Sequence, residues 1–189
     1  MVAAMDVAGN PSSVHTEGRA AKGLIEKARR QVATALGADG ADVVFVSSAT
    51  EAAALALADR GIACAEIEHE AVSAWCETSL AVAADGGVTV TDPAGSSLQV
   101  ANSETGIVQT LPAGLALTDA TQAFGKLPFA FNWSGADMAI VSAHKIGGPK
   151  GIGALFVRSG TGIEPQAVGG AQERGRRAGT ENVAGIVGL

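Results

Sequence analysis

Apolar segments of two periods alternate along this chain, and that alternation confines it to a layered α/β architecture before any single side chain is weighed. Arg19 to Leu36 sets Leu24, Ile25, Ala28, Val32, Ala33 and Leu36 at helical spacing, with charges opposite and Gly37 as a stop, which predicts an amphipathic helix. Val43-Val44-Phe45-Val46 is a short buried-type strand, and Thr50 to Asp59 follows as an alanine- and leucine-rich helix. Strand, turn and helix in succession form the unit of a parallel sheet. Further strands are expected near residues 61–65, 88–90, 98–101, 115–117, 139–141 and 154–157, with a helix over 70–84. Seven strands predict one three-layer α/β domain: a wide, mostly parallel seven-stranded sheet with helices on both faces. The connecting loops carry nearly every distinctive polar motif, as a scaffolded site would.

At 189 residues the chain can bury a substantial single core, and 47% hydrophobic with 17% charged residues is ordinary for a soluble globular protein. The net charge of −6 and the lack of a lysine- or arginine-rich run argue against nucleic-acid binding. A phosphate group would have to be held locally, by backbone amides and a few side chains. Cys64 and Cys76 stand outside any CxxC or metal-ligand spacing, so no metal site is expected. Residues 1–10 lack the basic start and apolar core of a secretion signal, and no stretch reaches the ~18 consecutive apolar residues of a membrane span. A cytoplasmic protein with free thiols and no membrane association is expected.

Two polar motifs follow predicted strands. Ser142-Ala143-His144-Lys145 succeeds the apolar run from Met138 to Val141 and precedes Gly147-Gly148-Pro149-Lys150-Gly151-Ile152-Gly153. A lysine at a strand exit beside a tight glycine turn is placed as a catalytic amine would be. Partial desolvation lowers a lysine's pKa and frees its lone pair to form a Schiff base with a carbonyl compound or pyridoxal phosphate. The same tetrapeptide also suits a solvated turn lysine. Upstream, Leu115-Ala116-Leu117 runs into Thr118-Asp119-Ala120-Thr121-Gln122, setting a carboxylate at the sheet edge where open α/β proteins bind ligands. There Asp119 can pair with a protonated pyridine nitrogen or cap a helix.

In chain order, Gly9-Asn10-Pro11-Ser12-Ser13-Val14-His15, Ser48-Ala49-Thr50-Glu51, Asp119 to Gln122, Ser142 to Lys145, Gly169 to Gly175 and Arg177 to Asn182 resemble the motifs of the cysteine desulfurases, within the class V aminotransferases. The resemblance runs over nearly the whole chain. It implies pyridoxal phosphate as cofactor and cysteine as substrate, with Lys145 as the Schiff-base lysine and Asp119 as partner of the pyridinium nitrogen. It further implies that His69, in Ile67-Glu68-His69-Glu70, stacks on the ring and moves protons. Asn102 and Gln122 would hydrogen-bond the phenolic oxygen, while Thr50, Ser142 and His144 would hold the phosphate. Thr180 would reach the phosphate of a second subunit, making the protein a homodimer. The family's products are alanine and an enzyme persulfide, whose sulfur passes to an acceptor or scaffold protein for iron–sulfur cluster or thio-cofactor assembly.

Some residues depart from the family pattern. Ser48 stands where the family commonly has glycine, and the region from Thr50 to Ala116 is shorter than the resemblance implies. Cys64 and Cys76 read as small buried hydrophobes and not as the family's mobile-loop nucleophile. That cysteine and the substrate-carboxylate arginine are expected downstream of the matched motifs. Arg174, Arg176 and Arg177 form a basic cluster that can bind an anion or decorate a loop. The apolar pattern breaks off at Leu189 without a cap. Residues 1–189 are therefore expected to be the large cofactor-binding domain, cut at both ends, lacking the small C-terminal domain and not competent alone for desulfuration. Another class V aminotransferase or lyase, or a non-catalytic pyridoxal-phosphate-binding or dimerisation module, stays open as an alternative.

Overall fold

The apolar runs become central strands because helices and loops cover both faces of the sheet they build. A computed structural model covering residues 1–189 contains strands β1 (Asp42–Val46), β2 (Ala63–Ala65), β3 (Glu77–Leu80), β4 (Ser97–Gln99), β5 (Leu117–Asp119), β6 (Met138–Ser142) and β7 (Gly153–Val157). Its helices are α1 (Val2–Met5), α2 (Thr16–Ala35), α3 (Ala49–Leu57), α4 (Glu70–Ser73), α5 (Phe131–Ser134) and α6 (Val183–Gly188). Successive strand residues point to opposite faces, and the core divides accordingly. Val43, Phe45, Val141, Ala154 and Phe156 pack with Ile25, Ala28, Val32 and Leu36 of the α2 region. Val44, Val46, Ile140, Leu155 and Val157 pack with Ala52, Ala53, Leu55 and Leu57 of α3. Each large side chain buried this way contributes ~1.5–3 kcal/mol, which holds the three layers together.

The seven expected strands do not form one continuous sheet. Five pair in the order β1–β7–β6–β5–β4, and β2–β3 form a separate parallel pair that a single parallel bridge, Ala63 to Ser96, joins to the segment entering β4. β4, β5 and β6 run parallel, whereas β7 is antiparallel to both β6 and β1. The reversal of β7 follows from its connection. Only residues 143–152 separate it from β6, and a parallel crossover needs about a dozen residues or more.

The helix expected over 70–84 stops at Ser73. Beyond it the backbone pairs with β2 as β3, beginning where the Glu77 amide donates to the Ile62 carbonyl at 2.9 Å. Val72 is the only side chain of α4 that is buried, so tertiary pairing overrides the alanine-rich local propensity. Residues 88–90 supply only an antiparallel bridge from Val88 to Val82. The final helix is capped by the Asn182 side chain, which accepts from the Gly185 amide at 3.0 Å.

The free edge of β1 is covered by a buried ion pair. Arg29 Nη1 and Nη2 donate to Glu173 Oε2 and Oε1 at 2.7 and 2.9 Å. Arg29 also donates to the Val43 carbonyl, and the Phe45 amide donates to Glu173 Oε2 at 2.8 Å. The pair thus takes the place of a neighbouring strand at an edge that would otherwise expose unpaired backbone groups. Glu173 and Arg174 adopt left-handed φ values of 46° and 60° to reach this position, a strain that the surrounding bonds hold in place.

Candidate active site

The carboxyl ends of the strands converge on one cleft. Ser48–Thr50 after β1, His69 after β2, Gln99 and Ala101 at and after β4, Asp119 on β5, Ser142 at the end of β6 and His144 and Lys145 after it line a cavity of about 220 Å³. This is the edge where open α/β sheets bind ligands. Of the nine site residues expected from sequence, Thr50, His69, Asp119, Gln122, Ser142, His144 and Lys145 line it, whereas Asn102 and Thr180 do not.

Lys145 sits in a single 3₁₀ turn, residues 143–146, that ends at Gly147 in the left-handed region, φ 84°. The Gly148 amide closes the turn onto the Ala143 carbonyl at 2.9 Å. Lys145 is solvent-exposed at the cavity mouth, not partly desolvated as the sequence suggested. Beside it Ser142 Oγ and His144 Nδ1 share a hydrogen bond of 2.9 Å.

Asp119 is the last residue of β5, the neighbour of β6, and is only 9% exposed. Its Oδ1 accepts from the Thr121 amide at 2.8 Å, and no salt-bridge partner reaches it. Burial pushes its pKa up, while the Thr121 hydrogen bond and the charges of His69 and Lys145 pull the other way without cancelling it. A buried carboxylate of this kind is a counter-charge without its cation.

His69 is the N-cap of α4. Its Nδ1 accepts from the Ala71 amide at 3.1 Å, so in the neutral ring the proton resides on Nε2. Gln122 accepts from Lys126 Nζ at 2.7 Å through Oε1, which leaves its NH₂ group free to donate.

The N-terminus of α3 presents unpaired backbone N–H groups to the same cavity. Ser48 caps it by accepting from the Glu51 amide, and Glu51 reaches back past the cap to accept from the Ser47 amide at 2.7 Å. Arg177 Nε binds Glu51 Oε1 at 2.8 Å. Burial works against ionisation of Glu51, but the hydrogen bonds from Arg177 and Ser47 outweigh it and hold the carboxyl below its usual range. The departure from glycine at Ser48 is harmless, because its φ of −171° is ordinary extended backbone. The glycine this loop needs is Gly153 on β7, where a Cβ would meet the Ser48 carbonyl carbon at 2.8 Å.

Asn102 is spent on its own loop. Its Nδ2 donates to the Ile67 carbonyl at 2.9 Å, and its Oδ1 accepts from the Glu104 and Thr105 amides. Thr180 is exposed in a second, smaller cavity beside Arg177 and Glu181. The arginine cluster is paired with carboxylates: Arg174 and Arg176 with Asp42, and Arg177 with Glu51. Cys64 is buried in β2 and Cys76 is half-buried; neither lines the cavity.

Two site residues escaped sequence reasoning. Gln99 lines the cavity from the end of β4, in register with Asp119. Glu68, only 6% exposed, accepts from the Gln99 amide at 2.5 Å through Oε1, while its Oε2 has no partner.

A lysine on the turn beyond one strand, a buried carboxylate ending the adjacent strand and a helix N-terminus facing both define an α/β protein with the fold of the NifS-like proteins. The structure of a NifS-like protein from Rickettsia africae matches with a TM-score of 0.87 and 33% identity over 99% of this chain and 61% of that one. A structure described as SspA in complex with cysteine matches at 0.84 and 32%, over 97% and 63%. The aminotransferase class-V family matches residues 3–95 and 97–189, and the chain belongs to that family. Its relatives include a cysteine desulfurase from a Nostoc species, 41% identical over 97% of this chain and 54% of its own length. The cysteine desulfurase IscS of Dictyoglomus turgidum is 37% identical over 96% and 55%. The chain thus spans about half the length of the curated relatives it matches.

Proposed function

We propose that this chain is the pyridoxal-phosphate-binding part of a cysteine desulfurase. The observation that carries the proposal is Asp119: a buried carboxylate without a cation, on the strand next to the one that delivers Lys145, at the wall of a cavity that also holds an anion-accepting helix N-terminus. The donor set fits the group. Thr50, Ser142 and His144 surround the α3 N-terminus and would hold the phosphate. Asp119 would hold the protonated ring nitrogen, and the free NH₂ of Gln122 would face the ring hydroxyl. When bound, pyridoxal phosphate supplies an electron sink for the Cα of an amino acid.

Lys145 would hold the aldehyde carbon and move the proton at the substrate Cα, its exposure leaving it free to swing. His69, with its proton on Nε2 in the neutral ring, would lie against the ring of the bound group, suited to stacking and proton transfer. Cysteine is the substrate, alanine the product, and the sulfur passes to an acceptor or scaffold protein for iron–sulfur cluster assembly. Neither Cys64 nor Cys76 is the sulfur-accepting thiol. The working state is a cytoplasmic homodimer, in which Thr180 donates to the phosphate in the partner subunit's site. Asn102 would contribute by ordering the loop that carries Ser103 into the cavity.

The test is the visible spectrum of the protein with added pyridoxal phosphate, before and after borohydride, with Lys145→Ala as control. A visible band that borohydride traps in the wild type, and that the variant lacks, is expected. A folded protein without any such band would contradict the proposal.

A further inference from the structure

We propose that Glu68 is a positioning residue held as a neutral carboxylic acid, which anchors the cavity end of β4 without placing a second negative charge beside Asp119. The proposal rests on the cofactor reading for the role of Asp119. Three observations carry it. Glu68 closes the turn after β2, its amide donating to the Ala65 carbonyl at 3.1 Å, and its side chain crosses to β4 to accept from the Gln99 amide. Gln99 is the last residue of β4 and pairs in register with Asp119 on β5, so one row of backbone links the two carboxyl groups through a residue that lines the cavity. Finally, Glu68 Oε2 is buried with no hydrogen-bond partner.

A carboxylate in that position would leave a buried ionised oxygen without a protein donor, beside a site that already contains one buried acid. Removing a charge from water without a partner costs several kcal/mol, and such a group takes up a proton instead. A neutral carboxyl keeps Oε1 as an acceptor for Gln99 and reduces the cost at Oε2 to that of a hydroxyl. The charged and titratable groups around Glu68 agree with this. Asp119 on β5 and the Cys64 thiol on β2 both disfavour its ionised form, and only the Gln99 amide favours it. Cys76, ahead of β3, feels the Glu68 carboxyl in turn. His69, next along the chain, and Lys145 direct their positive charge at Asp119. Burial, reinforced by Asp119, pushes Glu68 up to about 8.

With the Asp119 side left as the only anion, the pyridinium nitrogen has one unambiguous partner. Gln99 Nε2 donates to the Ile67 carbonyl at 2.8 Å, and Asn102 Nδ2 donates to the same oxygen. Glu68 therefore anchors the strand end from which both amides tie down the His69 loop.

The linkage has a defined sign. The folded-state value lies above the ~4.3 of an unfolded glutamate, so the protonated folded state is favoured at low pH. That stability is lost progressively as pH rises through about 8.

The experiment is the pH profile of thermal unfolding for the cofactor-free protein, comparing wild type with Glu68→Gln and Glu68→Ala. Glu68→Gln keeps the acceptor for the Gln99 amide and cannot ionise. It is expected to match the wild type near pH 5 and to lose less melting temperature between pH 5 and 9. Glu68→Ala, which orphans the Gln99 amide, is expected to melt lower at every pH. A Glu68→Gln profile parallel to the wild type, or one that melts lower at pH 8, would overturn the proposal. A parallel titration of pyridoxal phosphate separates the two ideas. If the wild type takes up no cofactor while the unfolding profiles still diverge as described, the cofactor reading fails and the neutral acid stands.

Discussion

Two regions of this molecule bury carboxyl groups, and they treat them oppositely. At the edge of β1, Glu173 is 5% exposed and fully engaged by both terminal nitrogens of Arg29 and by the Phe45 amide. At the ends of β2 and β5, Glu68 and Asp119 are almost as deeply buried, yet neither has a cation in contact, and Glu68 Oε2 has no partner at all. The first arrangement closes a sheet edge and needs nothing from outside. In the second, Asp119 is incomplete until a positive group arrives, and it lines the cleft where the motif lysine emerges. Unpaired burial is costly, and at Asp119 it coincides with the wall of the cleft, which marks where a ligand belongs.

Breaking the paired region should have the largest effect. Glu173→Ala leaves Arg29 charged and buried and unpairs the Phe45 amide, for an expected loss of roughly 3–5 kcal/mol of stability. Chemical denaturation would show it as a lower midpoint with an unchanged slope. A loss below about 1 kcal/mol would mean that water replaces the pair easily and that the contrast between the two regions is shallow.

A smaller effect is expected where the cleft itself uses paired charge. Ser48→Ala removes the side-chain cap of α3, the acceptor of the Glu51 amide, at about 1 kcal/mol. Because α3 presents its N-terminus to the cleft, affinity for pyridoxal phosphate should fall further than affinity for pyridoxal, which lacks the phosphate. Equal losses for the two compounds would separate α3 from phosphate binding.

Much of the scaffold was legible in the chain. The helical stripe from Leu24 to Leu36 and the runs at Val43, Ala139 and Ala154 became α2, β1, β6 and β7, because strong periodicity survives any tertiary context. The sense of β7 was legible in principle from the short glycine-rich link after Lys145. The segment 70–84 was not, since its alanines favour a helix locally and only pairing with β2 makes part of it a strand.

Among site residues, those within contiguous motifs at strand ends fell into the cleft together. Asn102 and Thr180 fell outside it. A turn closed by Asn102 Oδ1, which accepts from the Glu104 and Thr105 amides, absorbs the first, and the second sits beyond Arg177, whose ion pair with Glu51 fixes the loop elsewhere. Glu173, Glu68 and Gln99 were invisible because their roles depend on strands brought together from distant parts of the sequence. Glu173, for example, meets Arg29 across a separation of 144 residues.

The most direct test of the contrast is the melting temperature of wild type and Asp119→Asn at pH 7, each with and without pyridoxal phosphate. Asparagine keeps the acceptor for the Thr121 amide and removes the buried charge. Without cofactor the variant should melt higher, since burial has raised the folded-state pKa of Asp119 and ionisation at pH 7 opposes folding. With cofactor it should gain less than the wild type, in keeping with a loss of roughly tenfold or more in affinity when one charge-assisted hydrogen bond disappears. A variant that melts lower without cofactor and gains as much with it would contradict the assignment of Asp119 as an unpaired counter-charge awaiting a ligand.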